Sequence, residues 1–248
     1  MDLWQFGILS VAGLIAGFLN VLAGGGSLLT VPVMVFLGLP GPVANGTNRI
    51  AILAQNITAV TAFFHKGYSD LRLSVTLSLC SLPGAIAGAY LGTRLEGVWF
   101  NRTLAIIMLG VMLAMAFEKP SGDGNGTGAQ PRNLALGHVL MVMAGFYGGF
   151  IQVGIGFVLM AILHKIMRLN LVMVNMHKVF IVMSYSLVAL LVFATEVKIR
   201  WLLGLCLSVT YSLGAWLGVR LSIAGGERII KIILNVVLTL FIIKLLFF

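Results

Sequence analysis

The chain is 248 residues long, 60% hydrophobic and 9% charged, with sixteen Lys and Arg against seven Asp and Glu. Apolar stretches recur from end to end and no polar stretch outgrows a loop, which excludes a soluble globular domain and describes an all-α polytopic membrane protein. The net charge of +9 belongs to loops and lipid headgroups rather than to nucleic acid, because no basic aromatic surface accompanies it.

In chain order, Met1-Asp2-Leu3-Trp4 lacks the basic start of a signal peptide, so the first span is expected to be retained. Apolar segments follow at 4–22, 28–38, 49–64, 73–93, 103–117, 134–151, 157–168, 176–195, 201–219 and 229–247. A crossing helix needs about 20 apolar residues at ~1.5 Å each. The segments 28–38 and 157–168 fall short, and each follows a glycine cluster. Either they cross, giving ten spans, or they re-enter, giving eight.

The chain is written twice. Gly88-Ala89-Tyr90-Leu91-Gly92-Thr93-Arg94-Leu95 returns as Gly214-Ala215-Trp216-Leu217-Gly218-Val219-Arg220-Leu221, and the same spacing aligns Arg72 with Lys198 and Cys80 with Cys206. A second, shifted correspondence pairs Gly24 and Gly26 with Gly154 and Gly156, and Arg49 with Lys178. Two membrane repeats are therefore expected at 1–117 and 134–248, each of about five helical segments, joined by a flexible polar linker at 118–133. Ten of the sixteen Lys and Arg fall on one side of the membrane and six on the other, which puts the richer side in the cytoplasm and both termini outside. In this topology the two repeats are inverted. Such duplications place a transporter's site at the interface between the repeats.

The sharpest local motif is Asn20-Val21-Leu22-Ala23-Gly24-Gly25-Gly26-Ser27. Three glycines break a helix at membrane depth, and Ser27 then opens a short helix whose first N–H groups attract an anion. Gln152-Val153-Gly154-Ile155-Gly156 stands in the same place in the second half. The structural alternative is that these glycines only let helices pack closely. Thr47-Asn48-Arg49 and Met176-His177-Lys178 form a second pair, each placed where a loop becomes a long helix. Arg49 can fork two hydrogen bonds onto an oxyanion and Lys178 can add a point charge, or both can snorkel to headgroups. Gln55, Asn56 and Asn175 are amides at span depth that either line a pathway or bond a neighbouring helix. The small-residue faces Gly84-x-x-x-Gly88-x-x-x-Gly92 and Gly214-x-x-x-Gly218 serve packing, with Arg94 and Arg220 as interfacial anchors just beyond them.

All seven acidic residues fall at termini, loops or span ends. That argues against a carboxylate proton relay; the candidate proton carriers are His177, His138, His65, His164 or the substrate itself. Cys80 and Cys206 read as packing thiols, because no Cys/His cluster accompanies them. No nucleotide-binding Gly-Lys-Ser/Thr loop, Gly-x-Ser-x-Gly elbow or His-Glu-x-x-His helix is present, so neither an enzyme, a metal nor a cofactor is expected.

Gly13-Leu14-Ile15-Ala16-Gly17-Phe18, Gly24 to Pro32, Leu37-Gly38-Leu39-Pro40, Ala44 to Asn48, Lys66-Gly67-Tyr68-Ser69-Asp70 and the two Gly-x-x-x-Gly segments together resemble the TauE/SafE family of anion permeases. The resemblance covers nearly the whole chain. It implies an exporter of sulfite or small organosulfonates such as sulfoacetate in a bacterial cytoplasmic membrane. It also implies a site at Gly24, Gly25, Gly26 and Ser27 with Thr47-Asn48-Arg49 beside them. Asn48, and Val174 to Lys178 in place of a second Gly-Thr turn, depart from the family pattern. One Arg and one Lys fit a tetrahedral or divalent oxyanion better than a halide. The reading is a secondary transporter working by alternating access; the alternatives are a channel-like anion pore and a membrane anchor subunit. The expected partners are the anion, membrane lipid, a coupling proton and a second copy of the chain. The expected binding residues are Asn20, Gly24, Gly25, Gly26, Ser27, Thr47, Asn48, Arg49, Gln55, Gln152, Gly154, Gly156, His177 and Lys178.

Overall fold

A computed structural model describes residues 3–95, 97–116 and 133–247. The expected linker lies outside the described residues except for Asn133, and so do Met1, Asp2, Lys119, Arg132 and the side chains of Arg228, Lys231 and Lys244. Every described element is helical: α1 Leu3–Leu22, α2 Ser27–Phe36, α3 Gly41–His65, α4 Leu71–Arg94, α5 Gly97–Ala116, α6 Leu134–Phe150, α7 Ile155–Met160 continuing as a π-helical turn Ala161–Ile166, α8 Leu171–Glu196 and α9 Trp201–Phe247.

Local chemistry sets these boundaries. Asp70 caps α4 by accepting from the Leu73 N–H at 3.1 Å, and Asn170 caps α8 by accepting from the Met173 N–H at 2.8 Å. Pro40 and Pro42 open α3, where a missing N–H costs nothing. The ten residues of α2 rise only ~15 Å, half of a hydrocarbon core of about 30 Å. The chain turns back there: Gly26 abuts the Ala16 carbonyl of α1, where a Cβ would overlap it.

Among the described residues, four helices are long and apolar enough to cross a membrane: Trp4–Leu22, Leu71–Arg94, Leu171–Glu196 and Trp201–Gly225. That is fewer than the eight or ten apolar spans expected. The 25-residue α3 has the length, but Asn45, Thr47, Asn48, Arg49, Gln55 and Asn56 dilute its hydropathy. Each of those side chains is buried in protein rather than set in lipid. The segments 201–219 and 229–247 also merge into one helix, α9. In the first half the chain breaks between α4 and α5 at Gly97, whose φ is +54°. The matched position in the second half is Ile223, and a β-branched residue does not adopt that backbone, so the helix continues.

Glycine ridges assemble the bundle. Gly84, Gly88 and Gly92 of α4 lie on the backbone of Val142, Phe146 and Phe150 of α6, while Gly145 and Gly149 of α6 lie on Ser81 and Ala85 of α4. The same contacts recur at matched positions between α9 and α1: Gly214 and Gly218 lie on Leu14 and Phe18, and Gly17 lies on the Tyr211 carbonyl. Small residues let backbones approach closely enough for dispersion to hold helices together in lipid, where the hydrophobic effect does not. Between the two crossings sit α3 and α8, which carry most of the buried polar side chains.

Candidate functional site at two broken helices

The breaks after α1 and α6 meet at the centre of the bundle. Gly24 (φ +84°) touches Gly156 backbone to backbone, with no space for a Cβ on either residue. Gly25 lies against the Phe157 ring, and Gly154 (φ +75°) opens α7. Gln152 also has a positive φ, +66°, a strained backbone for a non-glycine residue that its neighbours must hold in place.

Beside this contact is a cavity of about 20 Å³ lined by Asn20, Ser27, Gln55, Asn56, Gln152 and Lys178 on its polar side, with Gly24, Gly156 and apolar Ile52, Ile155, Val179 and Val182 completing the wall. It has room for one water-sized group. Its polar side chains are cross-linked. The Asn20 amide donates to Gln55 Oε1 at 3.3 Å, and Asn20 Oδ1 accepts from the Gly26 N–H at 2.8 Å. Gln152 Nε2 donates to Ser186 Oγ at 2.8 Å. The helix openings expected to present free N–H groups are partly closed on themselves: Gly26 N–H goes to Asn20, and Phe157 N–H bonds the Gly154 carbonyl at 3.1 Å. Side-chain amides and one amine form much of the cavity's polar lining.

Two buried basic groups flank the breaks. Lys178 Nζ donates to the Val21 carbonyl and to Asn175 Oδ1, each at 2.8 Å. Arg49 Nη1 donates to the Gly148 carbonyl at 3.2 Å and to Gln152 Oε1 at 3.3 Å, and Nη2 donates to the Gly149 carbonyl. The Arg49 guanidinium also covers the Phe193 ring at 4.5 Å. The two groups exchange halves: α3 supplies the cation for the end of α6, and α8 supplies the one for the end of α1. Each sits at the carbonyl end of a helix, where the dipole is negative. No Asp or Glu is buried among the described residues.

This corrects the reading of both segments as loop-to-helix junctions. The helices begin at Gly41 and Leu171, so Arg49 and Lys178 lie two turns inside them. The polar stretches looked like loops because their partners are distant in sequence. Neither residue belongs in the loop-charge count.

The remaining expected residues scatter. Thr47 Oγ1 accepts from the Arg200 N–H at 3.2 Å. Asn48 accepts from Tyr211 at 2.9 Å and from Thr30 at 3.0 Å, and Tyr211 also meets Thr30 Oγ1. His177 Nδ1 pairs with Ser74 Oγ at 2.8 Å; its Nε2 has no hydrogen-bond partner among the described residues. Ser186, Tyr211, Thr30 and Ser74 escaped the sequence reading. A lone polar residue in an apolar span is a weak signal, and only Tyr211, flanked by two hydroxyls in Thr210 and Ser212, offered more. Tyr211→Phe should cost only about 1 kcal/mol in thermal unfolding in detergent, because Thr30 and Asn48 still bond each other.

The model of the sulfite exporter TauE/SafE family matches residues 9–245. The chain belongs to the TauE/SafE family. Similar curated proteins include the probable membrane transporter protein ORF9 of Sinorhizobium sp, 29% identical over 92% of this chain and 87% of its own length. The probable membrane transporter protein YfcA of Escherichia coli K12 is 26% identical over 97% and 89%. A probable membrane transporter protein of Haemophilus influenzae is 25% identical over 90% and 88%. No solved structure matches the chain. For this TauE/SafE chain the match runs through both halves, so both broken helices and both buried basic residues lie inside it.

Proposed function

We propose that this membrane transporter carries small sulfur oxyanions, sulfite or an organosulfonate, through the cavity between Gly24 and Gly156. The observation that carries the reading is the composition of the cavity wall: one buried amine and several amide donors, with no carboxylate among the described lining. Amide N–H and ammonium groups stabilise an oxyanion that has shed its water. The family description, sulfite exporter, supports sulfur as the central atom.

The cavity's 20 Å³ is too small for an anion of four or more heavy atoms. Binding therefore requires α2 and α7 to part at the glycine contact. Two repeats of inverted topology, rocking about that contact, would expose the site to each side in turn. The matched α1·α9 and α4·α6 crossings support such a pair of repeats, and an inside-negative potential would drive the anion outward.

The test is sulfite and sulfoacetate efflux from proteoliposomes, wild type against Lys178→Gln, with a pH gradient applied or dissipated. Glutamine can still donate to the Val21 carbonyl but carries no charge. Saturable efflux should fall by at least about tenfold, the worth of one charge-assisted hydrogen bond. Unchanged efflux in the variant would remove Lys178 from the path. No flux of either anion would sink the sulfur-anion reading, and flux indifferent to the gradient would dismiss proton coupling.

A further inference from the structure

The outer surface between the second half of α3 and α9 holds an open groove of 740 Å³. Gly204 of α9 packs on Ile50 of α3, and residue 220 stands as far beyond Gly204 as residue 66 stands beyond Ile50. The two helices run parallel, which brings Arg220 level with Lys66. The groove accordingly has a basic end, with His65, Lys66 and Arg220, and an apolar trough that includes Ile57, Ala62, Val219 and Ile223.

The matched position in the other half shows what is unusual here. Arg94 and Arg220 are repeat-mates, and each guanidinium covers the aromatic ring four residues earlier, Tyr90 at 4.8 Å and Trp216 at 3.6 Å. Arg94 is neutralised by Glu196 at the end of α8, 3.5 Å away. At the corresponding end of α3, Arg220 shares the groove with His65 and Lys66 instead. Among the described residues no carboxylate lies within ion-pair distance of Arg220 or Lys66. Like charges that converge on one groove repel unless an anion lies between them. A free oxyanion would satisfy the charges but leave the trough unused.

We propose that this groove is a binding site for an anionic glycerophospholipid, with its phosphate between Lys66 and Arg220 and an acyl chain along Ile57 and Val219. The cations complement the phosphate, and the apolar wall complements the chain. The site is separate from the central cavity and does not depend on the transport reading.

Trp216 lines the groove and reports on it directly. Trp4, Trp99 and Trp201 are each more than half exposed and are replaced by Phe, leaving Trp216 as the only tryptophan. The protein is reconstituted in phosphatidylcholine vesicles containing a minor share of brominated phosphatidylglycerol or brominated phosphatidylcholine, and quenching is normalised to unbrominated vesicles. Phosphatidylglycerol should quench more strongly. Its preference should drop about fivefold in Lys66→Gln, the contribution of one cation near a lipid phosphate. The preference should vanish in Lys66→Gln with Arg220→Gln and persist in Arg94→Gln. Equal quenching by the two lipids would overturn the proposal, as would a preference that survives the double variant. Reversal of quenching by inorganic phosphate would also overturn it, assigning the cations to a free anion. Should the three Phe replacements prevent folding, native mass spectrometry of the otherwise wild-type protein gives the same comparison: retained phosphatidylglycerol, lost with Lys66 and Arg220, supports the site, and its absence refutes it.

Discussion

Gly24→Ala destabilises the protein by about 3 kcal/mol, the sum of a left-handed alanine at about 1–2 kcal/mol and a forced backbone separation at about 1–3 kcal/mol. Gly24 has φ +84°, and an added Cβ would overlap the Cα of Gly156. The obstacle is main chain rather than a flexible side chain, so α2 and α7 must move apart as units. Gly156→Ala meets the same contact from the other side without the positive φ, and should cost less. The double variant should cost less than the two singles together, because the second methyl enters a gap that the first has opened. Gly7→Ala is the control: nothing lies within 4 Å of its Cβ, and alanine is the better helix former there by about 0.5–1 kcal/mol. Thermal unfolding in detergent orders the four. Equal midpoints for Gly24→Ala and Gly7→Ala would mean that the two broken helices do not touch.

Arg49→Ala should cost about 3–5 kcal/mol, among the largest single-residue effects in the chain. It strands two carbonyls at the end of α6 and the Gln152 side chain, and it empties the face of Phe193. Arg49→Lys should recover less than half, because one ammonium cannot reproduce a planar fork that spans adjacent carbonyls. Arg94→Ala removes a half-exposed ion pair and should cost under about 1 kcal/mol. Unfolding midpoints of the three variants test this. If Arg49→Ala unfolds like Arg94→Ala, the guanidinium is not holding the end of α6. Efflux by Arg49→Ala is informative only per folded protein, since lost flux from a molecule that no longer folds says nothing about the anion path.

The glycine motifs were readable because they are local and repeat. A Gly-x-x-x-Gly face is helical spacing written in the residues themselves, and its packing role needs no partner's address. Gly24, Asn20, Gln55, Gln152 and Lys178 were singled out for similar reasons: a glycine run that breaks a helix, and polar side chains where lipid would forbid them. All five line the cavity. His177 and Asn48 stood beside them in the chain but bond to Ser74 on α4 and Tyr211 on α9 instead. Neighbours on a helix point to different faces, and only the crossing helices decide which face meets the site.

Composition and the two glycine-broken segments determined by themselves that this chain is a helical membrane protein, and the ordered motifs from Gly13 to Leu221 carry its resemblance to the TauE/SafE family. Each of those signals lies within a few turns of chain or in a fixed spacing. The tertiary structure alone decided that Arg49 and Lys178 are buried braces at the carbonyl ends of α6 and α1, for their partners lie far away in sequence. It likewise decided that Arg94 has a carboxylate partner while Arg220, at the matched position, lines a groove with Lys66. The sequence around Arg94 is similar to that around Arg220, but the helix end brought against each is not.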